Sequence, residues 1–144
     1  MLDTNRIEPR ITAFFWLSSE DLDPVAVTDA IGLQPTTAYR KGETWSVGPK
    51  QLRRKTGSWS LDVRRWVYST DAVVSELLDS LWPRRQSIVS YCLEHDLAPT
   101  MACNISIHHD RPVYDFKLPT LEKLSELRCE LLLDVFDYSE DEDP

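Results

Sequence analysis

The sequence predicts an α+β fold, a mostly antiparallel or mixed sheet of about five strands with three helices packed on it, in the order β-α-β-α-β-β-α-β. Three observations lead there. Apolar residues alternate with period two in several short segments, recur at three-to-four spacing in three others, and are punctuated by recognisable caps and stops. With 144 residues, the chain is long enough for one domain that buries roughly two thirds of its unfolded surface. We expect that domain over 1–138, followed by an acidic tail over 139–144.

Arg10 to Ser19 reads as the first strand, apolar on both faces through Ala13-Phe14-Phe15-Trp16-Leu17, as a central strand covered on both sides would be. Asp23 before Pro24 is a cap with proline at the first helical position, and the stripe Val27, Ala30, Ile31 stops at Gly32. Gln34 to Gly57 holds three of the four glycines with little periodicity, which predicts a long ordered loop. Trp59, Leu61, Val63 and Val67 alternate with polar residues in a half-buried strand over 58–68. Thr70 or Asp71 then caps a helix through Val73, Val74, Leu77, Leu78 and Leu81, which Pro83 kinks or divides before it continues through Ile88 and Cys92. Met101, Cys103, Ile105 and Ile107 alternate, and with Val113 to Leu118 they predict an antiparallel hairpin. Thr120 caps a third helix with Leu121, Leu124 and Leu127 facing inward, and 131–138 closes the chain as a strand with Leu133 and Val135 in the core.

Composition narrows the functional classes. The widely spaced Cys92, Cys103 and Cys129 give neither a disulfide framework nor a paired zinc pattern, no secretory segment opens the chain, and no apolar run is long enough for a membrane. These features predict a cytoplasmic protein with no membrane partner. The net charge of −8 is unevenly spread: ten of the sixteen Lys and Arg residues lie between Arg40 and Arg85, against five acids.

Chemical motifs are scarce. Ser106, His108 and Asp110 recur every second residue, but i and i+2 on a strand stand roughly 6.5–7 Å apart, too far for the direct hydrogen bonds of a triad. Cys92 with His95, and His108-His109-Asp110, are incomplete as tetrahedral metal sites. No glycine-rich phosphate loop is present. No catalytic, cofactor-binding or metal-binding residues are therefore expected, and no cofactor. The segment from Tyr39 to Trp59 stands out because it mixes cations with aromatics. Its candidate partner-binding residues are Arg40, Lys41, Trp45, Arg53, Arg54 and Lys55. That mixture suits single-stranded nucleic acid, a small anion or an acidic protein partner, whereas Trp45 and Trp59 can equally plug the loop onto the core. The overall negative charge disfavours nucleic acid.

Phe14-Phe15, Asp23-Pro24, Leu33-Gln34-Pro35, Arg40-Lys41-Gly42, Gly57-Ser58-Trp59 and Leu132-Leu133-Asp134-Val135, in that order, resemble the bacterial domain-of-unknown-function family 4279. The resemblance implies a fold and carries no catalytic residues over. Small proteins of this kind are similar to bacterial immunity proteins that neutralise toxins. The expectation is thus a non-enzymatic protein-interaction module, in the immunity case for a basic toxin, with binding of single-stranded nucleic acid or a small anion through 39–59 as the alternative.

Overall fold

A computed structural model of the protein describes residues 6–139. Strand β1 (Arg10–Ser19) leads into helix α1 (Pro24–Ile31), then β2 (Thr37–Tyr39), the hairpin strands β3 (Thr44–Val47) and β4 (Lys50–Arg53), and β5 (Gly57–Trp66). Helices α2 (Thr70–Leu81) and α3 (Arg85–Glu94) are joined by one 3-10 turn at Pro83, so they form one kinked unit. Strand β6 (Thr100–Ile107), helix α4 (Leu118–Glu126) and strand β7 (Glu130–Asp137) complete the described residues.

The main sheet runs β2-β5-β1-β6-β7, and β3 pairs only with β4. All neighbours in the main sheet are antiparallel except β6 and β7, which are parallel because α4 carries the chain back across the sheet. The α+β class, the five-stranded mixed sheet and the alternation of strands with helical units are as the sequence predicts.

Register explains the core. In β1, β5 and β6 the odd-numbered residues share one face. Ile11, Ala13, Phe15 and Leu17 align with Val63, Leu61 and Trp59 on one side and with Ile105, Cys103 and Met101 on the other. The four named β1 residues are fully buried, and they pack with Val27 and Ile31 of α1, Val74, Leu77 and Leu81 of α2, and Ile88 of α3. Local signals set the helix ends. Asp23 Oδ1 accepts the Val25 N–H at 3.0 Å, and Gly32, at φ 81°, ends α1 in the left-handed region.

Several details differ from the sequence expectation. β1 is central, but among the described residues its even-numbered face is covered only in part: Thr12 is buried, Phe14 half-buried and Trp16 37% exposed. The segment 34–57 is not a plain loop, because Thr37–Tyr39 joins the sheet edge and the Gly48-Pro49 turn, with Gly48 at φ 59°, closes a hairpin. α2 is capped by Ser69, whose Oγ accepts the Ala72 N–H, and not by Thr70 or Asp71. Thr120 lies within α4 and is buried there, following Pro119 in the first turn, while Leu121 faces solvent and Leu124 and Leu127 face inward. The acidic-tail expectation falls, from residue 140 on, outside the described residues.

The predicted hairpin partner 113–118 is also absent. A single bridge links Val113 to Ser69, and the segment is tied to the start of α2 instead. Asp115 Oδ1 accepts from the Ser69 hydroxyl at 2.8 Å and from the Asp71 N–H at 3.4 Å, the Thr70 hydroxyl donates to the Asp115 carbonyl, and buried Asp71 Oδ1 accepts the Lys117 N–H at 2.9 Å. These bonds satisfy polar groups at a helix N-terminus, which a second strand there would leave orphaned.

Burial raises the Asp115 pKa, but the Ser69 hydroxyl and the backbone N–H groups of Asp71 and Asp115 outweigh it and leave the carboxyl below its ordinary 3.8. A depressed folded pKa stabilises at pH values above the unfolded one, and that contribution is lost as pH falls through the folded value. Asp115→Ala should therefore cost about 1 kcal/mol at neutral pH. In urea denaturation followed across the acid range, the difference from the wild type should shrink as Asp115 of the wild type protonates.

Candidate interaction surface

Three cations of the 39–59 segment, Arg40, Lys41 and Arg54, have partners within the molecule. Arg40 pairs with Asp23 at 2.8 Å, and Lys41 pairs with Glu20. The hydrogen bond and charge of that second pair lower the Glu20 pKa and raise that of Lys41. The Arg54 guanidinium lies 3.9 Å from the Tyr39 ring centroid and 3.8 Å from that of Trp45, sandwiched between them. The structure thus brings Arg54, Trp45 and Tyr39 together, sets Arg40 and Lys41 against the acids around α1, and leaves Arg53 and Lys55 exposed, with no ion pair among the described residues. Trp59 plugs the core: it is fully buried, edge-on to Phe15, with its Nε1–H donating to Thr28 Oγ1 at 3.0 Å. Arg54 thus covers one face of Tyr39 and one face of Trp45, while Trp59 is withdrawn into the core.

In the structure Ser106 is buried in β6, and the other two residues of the triad pattern have other partners. Asp110 accepts from the Tyr68 hydroxyl and contacts His109, each at 2.7 Å, whereas His108 stacks on Tyr138. The Asp110 hydrogen bond, with burial, pushes the Tyr68 pKa up to about 12. The thiols of Cys92, Cys103 and Cys129 are pushed up by burial, to about 11, 11 and 12.

The surface that the sequence reading did not single out is β7. Leu133 and Val135, expected in the core, are 42% and 45% exposed, and every residue of the strand is exposed. The cause is position: β7 is the outermost strand, and α4, which leads into it, packs against α2 and so leaves the helix side of β7 uncovered. Leu131, Leu133 and Val135 occupy that side, while Glu130, Leu132, Asp134 and Phe136 occupy the open side.

Among the described residues, the outer backbone of β7 has no strand partner. The Glu130 N–H donates to the Pro99 carbonyl at 2.9 Å and the Tyr138 N–H to the Ile107 carbonyl at 2.8 Å. Even-numbered residues therefore turn their backbone groups toward β6. By strand alternation, Leu131, Leu133 and Val135 turn theirs outward. The usual protections of a sheet edge are proline, a bulge or lysine. β7 has none of these and carries only carboxylates, Glu130 and Asp134 on the open side and Asp137 at the end, where it pairs with Arg111 at 2.6 Å. The opposite edge strand, β2, spans just three residues.

Beside β7, the open face holds a shallow depression of about 360 Å³, walled by Phe14, Trp16, Tyr39, Ser60, Asn104 and Leu132 among others. The Trp16 ring is fixed there by its Nε1–H bond to Ser58 Oγ at 2.8 Å. Asp62 and His108 extend the same face, and Asp62 Oδ1 and His108 Nε2 are buried without a hydrogen-bond partner.

The described residues thus form a helix-backed sheet with one long edge strand at β7. The model of the family described as domain of unknown function (DUF4279) matches residues 9–138, and the chain belongs to that family. No curated protein and no solved structure matches it. No helix among the described residues is long and apolar enough to cross a membrane.

Proposed function

We propose that this protein is a non-enzymatic interaction module that receives an extended, basic segment of a protein partner along β7. The carrying observation is the eight-residue outer strand, exposed along its whole length, with its outward N–H and C=O groups unpaired among the described residues. A strand added at an edge gains backbone hydrogen bonds for affinity, and alternate side chains give specificity. Here the helix side offers Leu131, Leu133 and Val135 to apolar side chains. The open side offers Glu130 and Asp134 to cations, in a chain of net charge −8. A basic toxin presenting such a segment fits this chemistry, and covering the segment would neutralise it. A second copy of the chain fits less well, since it would set carboxylate-bearing strands side by side.

An acetylated Val-Lys repeat peptide of matching length should bind in isothermal titration, more weakly as salt rises, while its Val-Glu counterpart should not. Leu133→Pro removes an outward N–H while leaving the β6 ladder intact, as edge positions permit. This variant should stay folded by circular dichroism yet lose at least about tenfold in affinity, one to two net hydrogen bonds' worth. Equal binding of both peptides, or unchanged affinity in the variant, would refute strand addition.

A further inference from the structure

The depression on the open face is distinct from the β7 edge in its chemistry, although Leu132 borders both. Its walls combine aromatic and aliphatic residues with the polar Thr37, Ser58, Ser60 and Asn104. The polar side chains that reach it from Thr37, Ser60 and Asn104 make no hydrogen bonds within the described residues. Trp16 is held rigidly by Ser58, so its ring is a stacking platform in place before any ligand arrives.

The second observation lies at the margin of the depression. Asp62 is the cross-strand partner of Phe14 and stands two residues beyond Ser60 on the same face. Its backbone N–H is satisfied by Thr36 Oγ1 at 3.1 Å, but its buried Oδ1 has no partner. Arg64, two residues further along that face of β5, does not hydrogen-bond to that oxygen. A carboxylate oxygen left uncompensated in a protein surface projects a negative potential that the low-dielectric wall does not screen well. Aromatic faces add their own attraction for cations.

We propose that this depression binds a planar organic cation of the amidinium or guanidinium class, stacked on Trp16 and held by the field of Asp62. Such a group is flat enough for a shallow site, and its several N–H donors match the free hydroxyl and amide oxygens of Thr37, Ser60 and Asn104. The same chemistry is available from a free small molecule or from an arginine side chain of a bound protein.

Three isosteres of different charge test this directly: benzamidine, benzamide and benzoate, titrated into the protein and followed by the indole N–H resonances in ¹H–¹⁵N spectra, with the Trp16 signal assigned from Trp16→Phe. Benzamidine should shift the Trp16 resonance saturably, benzamide at least about tenfold more weakly, and benzoate not at all. Asp62→Asn keeps the shape and removes the charge, so it should weaken benzamidine about tenfold and leave benzamide unchanged. Equal binding of benzamide and benzamidine, no saturable shift with any of them, or indifference to Asp62→Asn would overturn the proposal. A Val-Arg repeat peptide distinguishes the two sources. If it displaces benzamidine, the cation is an arginine of a strand seated on β7; if both bind together, the cation is a separate small molecule. Failure of the strand-addition experiment leaves this titration unaffected, because the probes do not require the edge.

Discussion

Trp59→Ala should lower the unfolding free energy by about 4 kcal/mol, the loss expected when a large aromatic leaves a closed core. Trp59 is fully buried on the helix side of β5, packs edge-on against Phe15 at 6.4 Å, and ties β5 to α1 through its bond to Thr28. Ala removes the ring and orphans the Thr28 hydroxyl, and the surrounding side chains, which come from β1, β5 and α1, cannot all collapse into the space. Small domains hold only about 5–15 kcal/mol in total, so the midpoint of urea unfolding should fall steeply. Trp59→Phe separates the contributions: it keeps most of the apolar volume and loses the hydrogen bond, so the cost should be about 1–2 kcal/mol. A loss near 1 kcal/mol for the Ala variant would mean that Trp59 is not a core plug.

Gly57→Ala should be nearly as damaging, for a purely steric reason. A Cβ at residue 57 would stand 2.2 Å from the Leu22 carbonyl oxygen and 3.1 Å from its carbon. The obstacle is backbone, so no rotamer change relieves it, and either β5 or the turn entering α1 must move. We expect a loss of about 3 kcal/mol, at the upper end of the range for overpacking. Gly42→Ala is the control. Gly42 has φ 91° but nothing within 4 Å of the added atom, so it should pay only the left-handed backbone cost of about 1 kcal/mol. If the two variants lose equal stability, the close approach at Leu22 is not what requires glycine at 57.

Legibility of the fold in the sequence follows how local each signal is. The Asp23-Pro24 start and Gly32 stop of α1 rest on hydrogen bonds within one turn, and they form as read. The alternation of β1, β5 and β6 survives because one face of each strand is buried. The hairpin at Gly48-Pro49 was readable in principle from its two-residue turn, but β3 and β4 are too short and too polar for periodicity to mark them. The 113–118 segment misleads for the opposite reason. Its apolar residues suggest a strand, yet the start of α2, some forty residues earlier in the chain, claims its polar groups.

The candidate site was hidden by a similar ambiguity. Leu131 to Phe136 is apolar except at Asp134, and sequence cannot distinguish a strand buried in the middle of a sheet from one left bare at its edge. Only the strand order makes the difference, because it puts β7 outermost. In the same way Phe14 and Trp16 read as the second buried face of a central strand, whereas they line the open face. The cations of the 39–59 segment drew notice because they cluster in sequence. Their partners Glu20 and Asp23, and the second ring against Arg54, come from positions that charge counting along the chain does not connect.

Amide hydrogen exchange of β7, with and without the Val-Lys repeat peptide, tests the central claim most directly. Strand addition predicts that the outward amides of Leu131, Leu133 and Val135 exchange quickly in the free protein and become protected in the complex, while those of Leu132 and Asp134, already bonded to β6, change little. Protection confined to the hairpin around Arg53 and Lys55, or bound peptide with no change at the three outward amides, would contradict the assignment of β7 as the binding edge.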